Sequence, residues 1–474
     1  MRHPESYKGS QIVVLGLARS GVGVAKTLHG LGAKVVVNDR KSREECPEAA
    51  ELEVLGIPVI CGGHPDDLIH EGIKLVVKNP GIPYSAPPIV QALNMNIDVV
   101  TEVEIAYELC EAPMIGITGS NGKTTTTTWV GKMLEAAGMK PIVAGNIGTP
   151  LCEAAEYATT DNWMVVELSS FQLKGTVNYA PKVGALLNLA ETHLDYHGGM
   201  EDYVASKQKL FANQTSQDIA VLNADDVICQ AILPQLKSKT ILFSMLKQLE
   251  QNGVYVKPAF LPQEDDDKLR HIIYVDEAGQ EHEIVAIHEI GLPGRYNVEN
   301  ALAAVAISIA AGVNPASLRE PLMSFRGVEH RLEYVETKQG VVFYNNSKAT
   351  NSKATIMALG ALKEPIILIA GGLDRGSDYL ELLPYLQTKV KAVVAIGETK
   401  EKIAAVASKA GLTEIHLVDT EGSAAETLQN ATQQAAKLAG TGDVVLLSPA
   451  CASWDMFKSY EERGRIFKEA VHTL

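Results

Sequence analysis

Lys123 and Thr124 follow directly on a glycine turn in the stretch MIGITGSNGKTTTTT, residues 114–128. Backbone N–H groups across Gly119, Ser120, Asn121 and Gly122 can face one anion, and a helix opening at Lys123 adds the partial positive charge of its N-terminus. The Lys123 ammonium then reaches β- and γ-phosphate oxygens, and the Thr124 hydroxyl offers an oxygen to Mg²⁺. The ligand implied is a nucleoside triphosphate. The spacing departs from the common phosphate loop: five residues separate Gly116 from Gly122, and Ile117 stands where the first glycine would be. An ordinary glycine turn before a helix would explain neither the Lys-Thr pair nor its placement.

Other residues with chemical potential lie at the ends of apolar runs. Residues 163–167 end on Glu167, and 183–189 lead into Glu191, His193, Asp195 and His197. Ligands of open parallel sheets gather at the carboxyl ends of strands, so Glu167 and His193 are expected to share an edge with Lys123 and Thr124 as Mg²⁺ ligands or ligand-orienting groups. His197 reads as a hydrogen-bonded loop histidine. A second glycine turn, GLARSG at 16–21, precedes Asp39 and reads as a Rossmann-type nucleotide site, but Ala18 occupies the place where a pyrophosphate needs a bare glycine. Further polar clusters are NNSKATN at 345–351, GGLDRG at 371–376 and SPACAS at 448–453. Asn297 reads as the N-cap of an apolar helix. Lys207 and Lys209, on a helix, read from pattern alone as a solvated face.

Positioning these groups requires alternating strands and helices. Apolar periodicity predicts strands over 11–17, 34–38, 55–61, 74–78 and 98–101, with a helix over 21–31. Beyond residue 101 come the phosphate-loop strand and helix, strands over 163–167, 183–189 and 218–223, and a helix over 301–311. Residues 253–290 read as β-rich surface structure around the acidic run 264–267. After a linker at 324–328, strands are expected over 365–372, 392–397, 415–419 and 443–449. The fold class is therefore α/β in three domains: a Rossmann-like domain at 1–101, a central P-loop mononucleotide-binding domain at 102–326 and a second Rossmann-like domain at 327–474. Substrates are expected to meet where such domains close on one another.

Composition bounds the partners. The 474 residues are 46% hydrophobic and 21% charged, as in ordinary globular chains, and a net charge of −15 argues against a broad nucleic-acid or anionic-membrane surface. The six cysteines form no CxxC pair and no zinc spacing, which implies reduced thiols and a cytoplasmic setting. Residues 1–9 are polar and no apolar run reaches the roughly eighteen residues of a membrane span, so a soluble, non-exported chain is expected. No apolar stripe advertises an interface, and a monomer is expected.

The motifs also carry a resemblance. GLARSG (16–21), KNPGI (78–82), TGSNGKTT (118–125), AGNIG (144–148), ELSSFQL (167–173), ETHLD (191–195), YVASKQKLF (203–211), NADD (223–226), GRYNVENALAA (294–304), EHRLE (329–333), NNSKATN, GGLDRG and SPACASWDMF (448–457) span essentially the whole chain. In this order they resemble the Mur ligases. Glycine-lysine loops are shared with folylpolyglutamate synthases, whereas SKATN with SPACASWD, and ELSSFQL with an N-terminal GLARSG domain, resemble the members that add D-glutamate. The resemblance implies an ATP-dependent acid–amino-acid ligase of peptidoglycan precursor synthesis. Such an enzyme phosphorylates the L-alanine carboxylate of UDP-N-acetylmuramoyl-L-alanine; the D-glutamate amine attacks the acyl phosphate, and ADP and phosphate leave.

Residue by residue, the resemblance implies that Lys123, Glu167, His193 and Lys207 are catalytic. Thr124 and Glu167 would serve one Mg²⁺, and His193 with a carbamylated Lys207 a second, which reverses the solvated-face reading of Lys207. ATP would be held by Gly119, Ser120, Asn121, Gly122, Lys123, Thr124, Thr125, Asn297, Asn300 and Arg331. Ser20, Asp39 and Asn79 match the uridine diphosphate site, Asn146 and Ser169 the sugar-alanine site. Lys348, Thr350, Arg375, Ser453 and Tyr460 match the D-glutamate site, where cations and hydroxyls suit a dicarboxylate. Asn346 stands where many relatives carry aspartate, Arg375 where some carry lysine, Tyr460 where some carry phenylalanine, and Arg19 at a position apolar in others. The alternatives are a related Mur or folate-type ligase taking another amino acid, and a non-catalytic nucleotide switch on the same fold. The intact set Lys123, Glu167, His193 and Lys207 speaks against the switch.

Overall fold

The computed structural model of the chain describes residues 4–192, 194–261, 268–419 and 422–474. Two compact units are present, Met1–Glu289 with Val298–Met323, and Ile290–Asn297 with Ser324–Leu474.

The first unit holds two sheets. Five parallel strands, β1 (Gln11–Leu15), β2 (Lys34–Asp39), β3 (Val59–Cys61), β4 (Ile73–Lys78) and β5 (Asp98–Val100), lie in the order β3-β2-β1-β4-β5. Successive side chains of a strand face opposite sides, so Ile12 and Val14 of β1 pack with Val24, Ala25 and Leu28 of the helix Arg19–Gly30, while Val13 and Leu15 pack with Ile89 and Ala92 of the helix Pro87–Asn94. The order reverses between β1 and β4, which leaves a crevice at their carboxyl ends.

The larger sheet comprises β6 (Met114–Thr118), β7 (Lys140–Gly145), β8 (Asn162–Glu167), β9 (Val183–Leu186), β10 (Ile219–Asn223), β11 (Lys239–Ser244), β12 (Gly253–Lys257), β13 (His271–Val275) and β14 (Glu281–Ala286). Its order is β14-β13-β12-β11-β10-β9-β6-β8-β7, antiparallel only at β12-β13-β14. β6 is flanked by β8 on one side and β9 on the other, and all five of its residues are buried.

The second unit is built on β15 (Glu333–Lys338), β16 (Val341–Asn345), β17 (Ile366–Ala370), β18 (Val390–Ala395), β19 (Ile415–Leu417) and β20 (Val444–Leu447), in the order β15-β16-β20-β17-β18-β19. Here too alternate residues serve opposite faces: Ile366 and Leu368 pack with Leu359 and Leu386, Ile367 and Ile369 with Leu428 and Phe467.

Several expectations change. The run 55–61 is not one strand: Leu55 caps the helix Ala49–Val54, Gly56 turns the chain at φ +81°, and only Val59–Cys61 pairs. The β-rich reading of 253–290 holds in the strands β12, β13 and β14, but these are not a surface excursion: β12 joins β11 in parallel, and Val254, Tyr255, Val256 and Ile272 are buried. The acidic run 264–267 lies outside the described residues. β7, β11 and the β15–β16 hairpin had no reading, the last because EYVETK is polar on both faces.

Trp129 is fully buried in the helix Lys123–Ala136 and donates its indole N–H to Pro321 O at 3.1 Å. Trp129→Ala is expected to cost about 3–5 kcal/mol through the cavity it leaves. Denaturant titration followed by circular dichroism measures it.

Candidate functional site

β6 delivers the chain to the phosphate loop at the carboxyl edge of the larger sheet. Gly122 is left-handed, φ +80°, and a Cβ there would fall 2.2 Å from Asn300 Oδ1, so only glycine allows the loop to meet this asparagine. A Cβ on Gly119 would sit 2.9 Å from Leu187 Cβ. Gly116, by contrast, is a packing residue inside β6, where a Cβ would strike Leu210 Cδ1 at 2.7 Å and Tyr179 Oη at 2.8 Å. The unusual spacing follows: the strand continues through Ile117, and the turn begins at Gly119.

The loop is tied down from one side. Asn188 accepts from Ser120 N on its backbone oxygen and from Asn121 N on Oδ1, both at 2.9 Å, and Tyr203 Oη lies 2.8 Å from Ser120 Oγ. Sequence reading missed Asn188, which sits two residues beyond the end of β9 in an apolar run expected to continue as strand to 189. Lys123 Nζ donates to Gly119 O at 2.7 Å and Ser120 O at 2.9 Å, which holds its charge at the loop. Thr124 is buried in the first turn of the helix.

Lys207 is no solvated residue. Only 1% exposed, it turns inward from the helix Met200–Gln208 and donates to Thr118 Oγ1 and Gly119 O, each at 3.0 Å. Burial, helped by repulsion from Lys123 and opposed by Glu167, pulls its pKa down to about 6. Lys209 is also half-buried, with Nζ on Lys174 O and Thr176 O at 2.7 and 2.9 Å. Glu167, the last residue of β8, is 1% exposed; its Oε1 accepts from Asn146 Nδ2 at 2.8 Å, while Oε2 is buried without a hydrogen-bond partner. A buried carboxylate oxygen lacking a donor is costly, and a hard divalent cation with oxygen ligands compensates it. The donor set Thr124 and Glu167 therefore fits Mg²⁺. His193 lies outside the described residues. His197 is hydrogen-bonded, as expected, between Ser170 Oγ (2.9 Å) and Asp202 Oδ2 (2.6 Å).

At the crevice of the five-stranded sheet, Asp39 accepts from Leu17 N at 2.8 Å and Lys41 N at 2.9 Å, and so braces the glycine turn. Asn79 Nδ2 donates to Ser20 Oγ at 3.2 Å. Ser20, Asp39 and Asn79 thus gather at the carboxyl ends of β1, β2 and β4. Ser169 caps the helix Ser170–Lys174 in a capping box with Gln172. Arg19 opens the helix Arg19–Gly30 near the buried Glu102, whose pKa burial raises to about 7 and the arginine lowers in part.

In the second unit, Lys348 Nζ lies 5.0 Å from the Tyr460 ring centroid and Arg375 5.0 Å from that of Trp454. Thr350 N donates to Lys348 O, and the buried Ser453 accepts from Phe457 N through its backbone oxygen. Arg331 N donates to Val328 O, beside His330, which is itself left-handed. Asn297 is not an N-cap: the helix runs Arg295–Ala310, and Asn297 sits inside its first turn, donating Nδ2 to Pro293 O at 2.6 Å. Arg463, 1% exposed, was missed because its helix looks merely amphipathic; it donates to Ser347 Oγ and O and to Cys451 O, joining the NNSKATN and SPACAS segments. Asn346 is a fitted residue. Its Oδ1 accepts from Leu332 N (3.1 Å) and its Nδ2 donates to Ser448 Oγ (3.0 Å), which donates onward to Thr355 Oγ1 (2.9 Å).

Three family models cover most of the chain: the Mur ligase MurD-like N-terminal domain over residues 10–101, the Mur ligase middle domain over 117–308 and the Mur ligase glutamate ligase domain over 330–451. The chain is 49% identical to a UDP-N-acetylmuramoylalanine--D-glutamate ligase of Geobacillus sp. (strain WCH70) and 46% identical to one of Bacillus mycoides (strain KBAB4), with 100% of both chains covered in each case. The chain belongs to the Mur ligase family. Among solved structures it is similar to UDP-N-acetylmuramate-alanine ligase MurC of Thermotoga maritima (TM-score 0.58, 19% identity, 98% of this chain and 99% of that one) and to MurF of Acinetobacter baumannii (TM-score 0.57, 17% identity, 85% and 86%). At such identities the likeness establishes the Mur ligase fold, α/β with parallel-rich sheets. Among the described residues, no helix is long and apolar enough to cross a membrane.

Two outcomes test the geometry. Gly122→Ala is expected to weaken nucleotide binding at least about tenfold, through the left-handed strain and the Asn300 contact together, measured by calorimetry with ATP. Asn346→Asp, which removes the donor to Ser448, is expected to lose about 1–3 kcal/mol of stability in thermal unfolding.

Proposed function

We propose that this Mur ligase joins the L-alanine carboxylate of UDP-N-acetylmuramoyl-L-alanine to the amine of D-glutamate, with ATP turned over to ADP and phosphate, in peptidoglycan precursor synthesis. Full-length identity of 49% to a ligase named for that reaction supports the substrates. The observation that carries the chemistry is the gathering of Lys123, buried Lys207 and the half-paired Glu167 carboxylate about one phosphate loop. We also propose that the chain works as a cytoplasmic monomer on small molecules, with the uridine diphosphate end in domain 1–101, ATP in 102–326 and D-glutamate in 327–474.

A carboxylate is a poor acyl donor because it carries a full negative charge and has no leaving group. The loop N–H groups and Lys123 hold the β- and γ-phosphates and withdraw charge from the transferring group. Mg²⁺, when bound, would supply further charge neutralisation; Thr124 and Glu167 would hold one ion, and His193 with Lys207 a second. As a bare ammonium Lys207 repels a cation. Its lowered basicity makes it a nucleophilic amine that forms an N–C bond with CO₂ and releases a proton, leaving a carbamate anion. Asn297, Asn300 and Arg331 contact the nucleotide. Asn146 orients Glu167 and, with Ser169, the sugar-alanine part; Ser20, Asp39 and Asn79 hold the uridine diphosphate. Lys348, Thr350, Arg375, Ser453 and Tyr460 place D-glutamate so that its amine attacks the acyl phosphate.

Phosphate release measured with each amino acid, with and without the UDP-sugar, is expected only when D-glutamate and the UDP-sugar are both present. Another preferred amino acid would indicate a sister ligase, and no turnover under any combination a nucleotide switch. Lys207→Ala is expected to lose more than about a hundredfold in kcat, with partial recovery in bicarbonate and a short carboxylic acid. Full activity in that variant would exclude the carbamate.

A further inference from the structure

Lys78, the last residue of β4, is 1% exposed, yet it carries an amine where a methionine would pack without desolvation cost. Its Nζ donates to Pro80 O at 3.1 Å and to Tyr196 Oη at 3.2 Å, and lies 4.8 Å from the Tyr84 ring centroid. Tyr196 Oη in turn lies 3.1 Å from Pro80 O and 3.2 Å from Ile82 O. The two carbonyls belong to the turn that carries Asn79, whose amide reaches Ser20 and whose Oδ1 accepts from Gly81 N at 3.3 Å. Tyr196 belongs to the short helix Leu194–His197 of the larger sheet's half of the unit, edge-on to Phe171 with ring centroids 4.5 Å apart. Lys174 stacks on the same two tyrosines, at 5.2 Å from Tyr84 and 5.9 Å from Tyr196, and is held by Asp202, which also accepts from His197.

We propose that Lys78 is a positioning residue: with Tyr196 it forms a strut that fixes the 79–82 turn against the helix Leu194–His197, and so sets where the substrate's uridine diphosphate end sits relative to the phosphate loop. A hydrophobic contact would join the same elements but would leave the turn free to rotate; two donors on two carbonyls remove that freedom. Burial and the neighbouring Lys174 bring the Lys78 pKa down to about 7. The neutral amine keeps two N–H donors, so the strut survives in either protonation state. The role in substrate placement rests on the reaction proposed above; the strut itself does not.

Three variants test it: Tyr196→Phe, which removes one hydroxyl and keeps the ring, Lys78→Met, and the double variant. Hydrogen exchange of the Asn79, Gly81 and Ile82 amides in ligand-free protein is expected to quicken at least about tenfold in Tyr196→Phe. Calorimetry with UDP-N-acetylmuramoyl-L-alanine is expected to give about tenfold weaker binding in each single variant, with no further loss in the double, while KM for ATP stays within about twofold. Unchanged exchange in Tyr196→Phe overturns the strut. Faster exchange with unchanged binding, or equal losses for all substrates, overturns the positioning role. Wild-type protein that binds no UDP-sugar overturns the reaction assignment and leaves the exchange result to decide the strut.

Discussion

A phosphate loop works only if its positive groups are held close together without water between them, and like charges resist that. Lys123 and Lys207 converge on the carbonyl of Gly119, and burial plus mutual repulsion draws the Lys207 pKa down to about 6. Glu167 supplies part of the opposing charge and leaves one oxygen with no protein partner. This small group of charges, with Lys207 and Glu167 buried, is unfavourable alone. Anionic phosphates and a divalent cation, bound as proposed, would offset that cost, and ligand binding would then come at the expense of the ligand-free fold.

The sheet makes that arrangement rigid. β6 is buried between β8 and β9, Gly116 gives up its side chain to let Tyr179 and Leu210 approach, and Asn188 clamps the loop amides from the end of β9. The same economy recurs at the five-stranded sheet, where Asp39 spends both carboxylate oxygens on backbone amides of its own turns. Residues proposed to bind substrate in such places also hold their own loops. Stability and function cannot be altered separately there, and Ser169, both helix cap and candidate substrate contact, is another case.

In the second unit a buried network of neutral polar groups and one arginine does comparable work. Asn346, Ser448 and Thr355 form a chain of donors running in one direction, and Arg463 joins two polar segments through three oxygens. Asparagine suits this chain because it offers a donor and an acceptor at once, whereas aspartate offers only acceptors. The departure at this position therefore belongs to a locally consistent structure.

Local information sufficed for the phosphate loop, the strand ends at Glu167 and Lys78, and the α/β alternation, because glycine conformations, helix starts and apolar runs are properties of short stretches of chain. The ordered motifs carried the family as well. Long-range packing decided the rest. Lys207 looks solvated on its own helix and is buried only because the phosphate loop of a strand 89 residues away in sequence closes over it. Asn297 resembles a cap until the helix is seen to begin two residues earlier, and polar EYVETK becomes a strand only by pairing with β16. The strands β12, β13 and β14 join the larger sheet because β11 leaves an edge for β12 to cover. In each case the deciding free energy, burial of a charge or completion of a sheet edge, belongs to pairs of residues far apart in the chain, and no local pattern records it.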